Sequence, residues 1–324
     1  MNKILERKCG IDLARCIAIL GVLLVHTSIF IPGRFGVQLF FLVSGYLLAD
    51  LGNLSTRDFL IRRGFRLLPL YWLFLCYYAS LFDSPWQLFV SFLLLQNIHW
   101  VFISIPGSWS ISNEWVYSVV LPLVKRITNN QIFILIGISW ISQIITSILV
   151  YRWGGTSDEN VYQAALKVWV NTFNPLVNFA FLLIGIAIKR EIIPILKNLS
   201  VGFFTIFLCL VVPFWLNLGL LWLCPFLLWA VFSMCILWSP RSTMLCKFIG
   251  FIGQRTYGIY FFHFIVLNLV RDSELFVSIP EAYGFGKWIE FVLVCIGSLL
   301  LSEVSWRLVE KPSLKFSKLF LNNK

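Results

Sequence analysis

Wound at 100° per residue, the stretch DLARCIAILGVLLVH (residues 12–26) brings Asp12, Arg15 and His26 within an arc of about 60° on one helix face. The rest of the stretch is almost wholly apolar. An ionisable side chain near the centre of a bilayer costs roughly 2.5–3.5 kcal/mol on insertion scales, so such residues are usually functional. His26 lies about 24 Å along the helix from Gly10. An imidazole there can act as a general base, because it titrates near neutrality and can take a proton from a hydroxyl. The plainer alternative is a histidine satisfied by a neighbouring helix. Asp12 and Arg15 are spaced i, i+3, which suits an internal ion pair and is compatible with a role at the same site.

A second cluster is RDFLIRRGFRLLPLYW, residues 57–72, with Arg63 and Arg66 at i, i+3 and Arg62 beside them. Guanidinium forks hold phosphates bidentately, which makes this segment a seat for a nucleotide-like or phosphorylated donor. Basic residues at an inner helix end are also expected from membrane topology alone. The third cluster is GSWSISNEWVYSVVLPL, residues 107–123. Ser110, Asn113, Glu114 and Tyr117 make the start of that apolar run polar, while Trp109 and Trp115 fit an interfacial belt. Glu114 can orient an imidazole, ligate a sugar hydroxyl or cap the helix. In QRTYGIYFFHF, Tyr257, Tyr260 and His263 can line a polar seam, with a structural histidine an equal alternative. Glu290 and Glu303 fall in the last long run, and Pro312 of Glu310-Lys311-Pro312 is expected to end it. His99, in an outer loop, carries little information.

The elements that must position these groups follow from composition. Of 324 residues, 59% are hydrophobic and 13% charged, where a soluble chain has about a quarter charged. Apolar runs fall at 11–30, 36–51, 65–82, 108–124, 131–151, 169–188, 200–217, 219–238, 256–270 and 287–308. About ten membrane-crossing helices are therefore expected, in an all-α polytopic bundle forming a single domain over 1–324. The run 36–51 is short, and 83–107 holds a further apolar piece of re-entrant or interfacial character. Lys3, Arg7 and Lys8 ahead of an apolar core resemble a signal peptide, but charges inside the run make it helix one. The net charge of +11 follows the positive-inside bias with both ends cytoplasmic, and a nucleic-acid partner is not expected. Eight cysteines without CxxC spacing read as small core residues, and three histidines without HExxH spacing give no metal site.

These blocks, taken in order, resemble the acyltransferase family 3 of membrane acyltransferases, which O-acylate cell-envelope sugars and other acceptors. The likeness rests on Asp12, Arg15 and His26, on FGVQLFFLVSGYLL (35–48) and FLIRRGFRLLPLYW (59–72), and on WSISNEWVY (109–117), TYGIYFFH (256–263) and VEKP (309–312). The resemblance implies that His26 is the catalytic histidine and Arg15 the arginine eleven residues ahead of it. It implies that Arg63 and Arg66 are the R-x-x-R pair for an acyl-coenzyme A donor, and Glu114 the glutamate of the W-S-x-x-x-E motif. Gln38 stands where many members have Asp, and Cys16 where glycine is usual. The extra soluble hydrolase-like domain of some relatives is not expected.

The implied activity is transfer of an acetyl group from cytoplasmic acetyl-CoA to a hydroxyl of a saccharide acceptor, lipid-linked or not, in a bacterial inner (plasma) membrane. The donor's phosphates would rest on Arg63 and Arg66, and its pantetheine arm would run up between helices, while membrane lipids would surround the protein. His26 would deprotonate the acceptor or transiently carry the acyl group. A transporter or flippase of an envelope precursor shares the helices and the intramembrane charges, though no internal symmetry is visible. A non-enzymatic assembly subunit would not carry the ordered motifs.

Overall fold

The computed structural model describes residues 3–29, 35–49, 55–97, 105–124, 127–153, 174–215, 224–238, 243–273 and 285–321. Among the described residues every extended regular element is a helix. They are α1 (Lys3–His26), α2 (Phe35–Leu48), α3 (Thr56–Tyr77), the short α4 (Pro85–Phe92), α5 (Ser108–Val124) and α6 (Asn129–Trp153). Then come α7 (Pro175–Lys189), α8 (Leu199–Trp215), α9 (Cys224–Leu237), α10 (Thr243–Arg271), α11 (Phe285–Ser305) and α12 (Lys311–Ser317). Each of the ten apolar runs overlaps one of these helices, and α4 lies in the segment that holds the extra apolar piece.

Helix ends depart from the runs where capping chemistry overrides hydropathy. α3 starts at Thr56, ahead of its apolar run, because Ser55 accepts a hydrogen bond from the Asp58 amide at 3.0 Å. It also carries Pro69 in its interior. Pro312 does not end the last helix, as the sequence led us to expect. A single π-helical turn, Trp306–Glu310, follows α11, and α12 resumes with Pro312 in its first turn. The π turn shifts the hydrogen-bond register just ahead of the proline, with the Lys311 amide donating five residues back to the Trp306 carbonyl.

Among the described residues two helical stretches, Cys9–His26 and Gly286–Phe320, are long and apolar enough to cross a membrane. Phe35–Leu48, Pro175–Lys189, Leu199–Val211 and Cys224–Leu237 are apolar but shorter. Large apolar side chains also face outward, among them Phe203, Phe204 and Phe207 of α8 and Ile134 and Ile138 of α6.

The chain divides into two compact units. The first holds residues 1–43 and 195–315, and the second 44–194 and 316–324, so α2 contributes to both. In the first, α10 packs along α1 and α11, and α9 packs on α1 and α8. In the second, α6 packs on α7, and α5 on α3 and α7. Small residues permit the closest approaches. A Cβ on Gly36 of α2 would collide with the Ala18 carbonyl of α1 and lie 2.8 Å from the Val22 amide. In the second unit a Cβ on Gly45 would strike the Leu182 backbone. Without a hydrophobic drive between helices in lipid, such backbone proximity is a main source of attraction.

Gly36→Ala should therefore destabilise the protein by about 1–3 kcal/mol, the usual cost of overpacking. Gly137→Ala, in α6 with nothing within 4 Å of its Cβ position, should stabilise by roughly 0.5–1 kcal/mol from helix propensity. Thermal unfolding of the full chain in one detergent gives the comparison, and equal midpoints for the two variants would refute the close-approach argument.

Candidate functional site

In the first unit, α1 ends on His26 for a local reason. Ser28 takes a left-handed backbone (φ 57°), the Ile29 amide donates to the Leu24 carbonyl at 3.0 Å, and the Ser28 amide to Val25 at 3.1 Å. This is a Schellman-type ending, with serine where glycine is commoner. His26 is thereby the last residue with helical backbone. Its own carbonyl accepts a hydrogen bond from Arg271 Nη2 at 3.2 Å, at the far end of α10. Arg271 Nε also donates to Glu290 of α11 at 2.7 Å. Glu290 is buried, and the guanidinium that neutralises it also satisfies one of the helix-terminal carbonyls.

The imidazole of His26 is half-buried against α10. Its ring centroid lies 5.1 Å from that of His263, at an interplanar angle of 45°, and 4.6 Å from Phe264, edge-on. His263 is fully buried between Tyr260 (5.8 Å) and Phe264 (4.0 Å). Neither of its ring nitrogens makes a hydrogen bond among the described residues.

Asp12 and Arg15 meet each other rather than His26. Arg15 Nη1 donates to Asp12 Oδ1 at 3.1 Å, and both lie about 16 Å or more along α1 from His26. Asp12 rests against α10, where a Cβ on Gly253 would come within 2.8 Å of its own Cβ. Beside it Cys9, Cys16, Cys246 and Ile249 form a buried cluster with Leu13, Trp238 and Ile252, and the Cys16 thiol donates to the Ile249 carbonyl at 3.6 Å. Gln38 is buried in the same unit and accepts from the Cys224 thiol at 2.9 Å. The late blocks also meet. A Cβ on Gly258 would lie 3.2 Å from Glu310 Oε1. Arg255 bonds Glu303, which in turn accepts from Arg307 at 2.6 Å.

In the second unit Glu114 and Arg63 form one ion pair. Glu114 Oε1 also accepts from Ser44 Oγ at 2.9 Å, and Arg63 Nε donates to Ser118 Oγ at 3.0 Å. Glu114 lies well inside α5 and does not cap it. Arg62 and Arg66, four residues apart and about 40° apart around α3, are exposed. The WSISNEWVY block is an interior polar network. Asn97 donates to Asn113 at 2.9 Å, Ser112 to the Leu94 carbonyl at 2.7 Å, and Tyr117 to the Pro175 carbonyl at 2.6 Å. Trp109 is buried with it rather than displayed as a belt residue. His99 lies outside the described residues.

Sequence reasoning passed over Arg271. The available signal was a basic residue in the last turn of a long helix.

The sequence pattern of an acyltransferase-domain family, acyltransferase family 3, matches residues 10–307. The chain belongs to that family. It is similar to a Staphylococcus aureus (strain COL) protein provisionally named an O-acetyltransferase, with 24% identity over 94% of this chain and 56% of the relative. It is similar as well to the peptidoglycan O-acetyltransferase OatA of Listeria monocytogenes (24% identity; 94% and 55%). A protein of Bacillus subtilis (strain 168), provisionally named a peptidoglycan O-acetyltransferase, matches at 24% over 94% and 54%. The chain thus spans about half the length of these curated relatives. No solved structure matches it.

Removing one partner of the Arg63–Glu114 pair leaves an uncompensated buried charge. Glu114→Ala should cost about 3–5 kcal/mol of stability, and Arg63→Met added to it should recover much of that loss. A double-mutant cycle of denaturant unfolding in detergent checks this; strictly additive losses would mean that the two side chains are not coupled.

Proposed function

We propose that this chain is an integral membrane O-acetyltransferase, a multi-pass bundle of about ten membrane-crossing helices. It would move an acetyl group from cytoplasmic acetyl-CoA to a hydroxyl of a cell-envelope saccharide. The observation that carries the reading is His26, a half-buried imidazole held at a capped helix end in a chain of the acyltransferase family. In support stand the apolar helices, the outward-facing Phe and Ile side chains, and relatives whose names specify O-acetylation, of peptidoglycan in two cases. Membrane lipids would cover the outward apolar faces. The bacterial inner membrane, with both termini cytoplasmic, is the location consistent with the positive-inside bias.

In this mechanism one nitrogen of His26 takes the proton of the acceptor hydroxyl as its oxygen attacks the thioester carbonyl carbon. The tetrahedral intermediate collapses with cleavage of the C–S bond. The coenzyme A thiolate leaves and recovers the proton from the imidazolium, so the histidine ends neutral and the acceptor carries an ester. No metal is required by this scheme.

The arginines divide their work. Arg62 and Arg66, exposed on α3, would meet the donor's phosphates, while Arg63 is held by Glu114 and Ser118 and would support them from beneath. Asp12 and Arg15 would act through packing of α1 on α10 rather than by touching the imidazole. Glu114 would act through Arg63.

His26→Ala should reduce transfer of labelled acetyl from acetyl-CoA into envelope polysaccharide by about 10²–10⁴-fold at matched membrane levels, the range that general acid–base catalysis supplies. Labelling equal to wild type would make His26 structural. Absence of labelling by wild type itself, with uptake or flipping of an envelope precursor instead, would favour a transporter.

A further inference from the structure

Packing alone does not explain His263. It is fully buried, and neither ring nitrogen makes a hydrogen bond among the described residues. The carbonyls of Ile259 and Tyr260, one turn back on its own helix, interact with the ring without meeting full hydrogen-bond geometry. A buried polar group without a partner carries its full desolvation penalty, and native proteins rarely leave one so. Phenylalanine would fill the space without stranding two nitrogens, as neighbouring Phe261 and Phe264 show. What His263 does face is His26, ring centroid to ring centroid at 5.1 Å and tilted by 45°. At that separation a rotation of either ring about its Cβ–Cγ bond brings facing nitrogens towards hydrogen-bond reach.

We propose that His263 is the positioning and proton-holding partner of His26. The proposal rests on the acetyl-transfer reading above and adds a second residue to it. A neutral imidazole has one N–H and one bare nitrogen, and which of its two nitrogens is bare is set by what the other one meets. His263 offers the inner nitrogen of His26 an acceptor, which leaves the outer nitrogen bare for the acceptor hydroxyl. As the hydroxyl proton arrives on that outer nitrogen, the inner N–H proton passes to the facing nitrogen of His263. When the C–S bond breaks, the proton returns through His26 to the coenzyme A thiolate, and both rings end neutral. The charged groups around this pair are Arg271, bonded to the His26 carbonyl, and Glu290, which neutralises Arg271. Asp12 and Arg15 compensate each other further down α1. Asp12 and Glu290 are thus each engaged with an arginine and Asp272 is exposed at the end of α10, while the second imidazole is in ring contact with His26 and offers a nitrogen for the proton.

The test uses His263→Phe in the full chain, in nanodiscs. The volume is kept, both nitrogens are removed, and the thermal midpoint should not fall. The chain has three histidines, so ¹⁵N-histidine NMR gives three imidazoles, assignable by single substitutions. The variant should change the ¹⁵N shifts of His26, reporting a changed tautomer balance. It should also lower kcat for acetyl transfer about tenfold or more, with KM for acetyl-CoA unchanged. His263→Gln, which can hydrogen-bond but not relay a proton, should restore the His26 shifts in part and kcat little, and it replaces the Phe variant if that fails to fold. Unchanged His26 shifts together with wild-type kcat would overturn the proposal and make His263 a packing residue. Altered shifts in a protein whose wild type transfers no acetyl group would uphold the pairing and sink the acetyl-transfer reading instead.

Discussion

A charge removed from water is best met by an opposite charge inside the protein, and this constraint places four of the described acidic side chains. The effective penalty is several kcal/mol per ion even after relaxation, so isolated buried charges do not persist. Asp12 is met by Arg15, Glu114 by Arg63, Glu290 by Arg271, and Glu303 by both Arg255 and Arg307. Hydroxyls complete the shells, Ser44 on Glu114, Ser118 on Arg63 and Ser305 on Glu310. These pairs tie helices together within each unit: α10 to α11 through Arg255 and Glu303 in the first, and α3 to α5 through Arg63 and Glu114 in the second.

Glycine contacts impose a second constraint that works with the first. Where Gly253 admits Asp12 to the surface of α10, the carboxylate can sit between helices and still reach Arg15 one turn away. Gly36 lets α2 lie on the backbone of α1. A β-carbon at either place would separate the helices, so packing and charge compensation rest on the same small residues.

Helix existence was legible in the sequence because it depends on the length of apolar runs, and each run overlaps a described helix. Helix ends were less so. The early start of α3 depends on one cap at Ser55, and the survival of the last helix past Pro312 depends on a π-helical turn that hydropathy does not register. Within the candidate site, the Asp12–Arg15 pair was readable because three residues separate it on one helix. Arg63 with Glu114, His26 with His263, and Arg271 at the end of α1 join different helices. For these a single sequence supplies the residue types but not their neighbours. The assignment of Arg63 to a phosphate and Glu114 to an imidazole or sugar treated as separate two groups that share one hydrogen-bonded pair.

The same constraint explains why histidine, rather than a carboxylate, suits the end of α1. A carboxylate there would need its own cation, and the nearest guanidinium, Arg271, already balances Glu290. An imidazole can be neutral at rest and carry charge only during a turnover, so it needs no permanent counter-ion. On the acetyl-transfer reading proposed above, the chemistry would fall on a base that can be stored inside the protein uncharged, and the proton it gathers would need only a temporary resting place. A second imidazole in ring contact, neutral at rest, would supply that place without adding a permanent ion to be compensated.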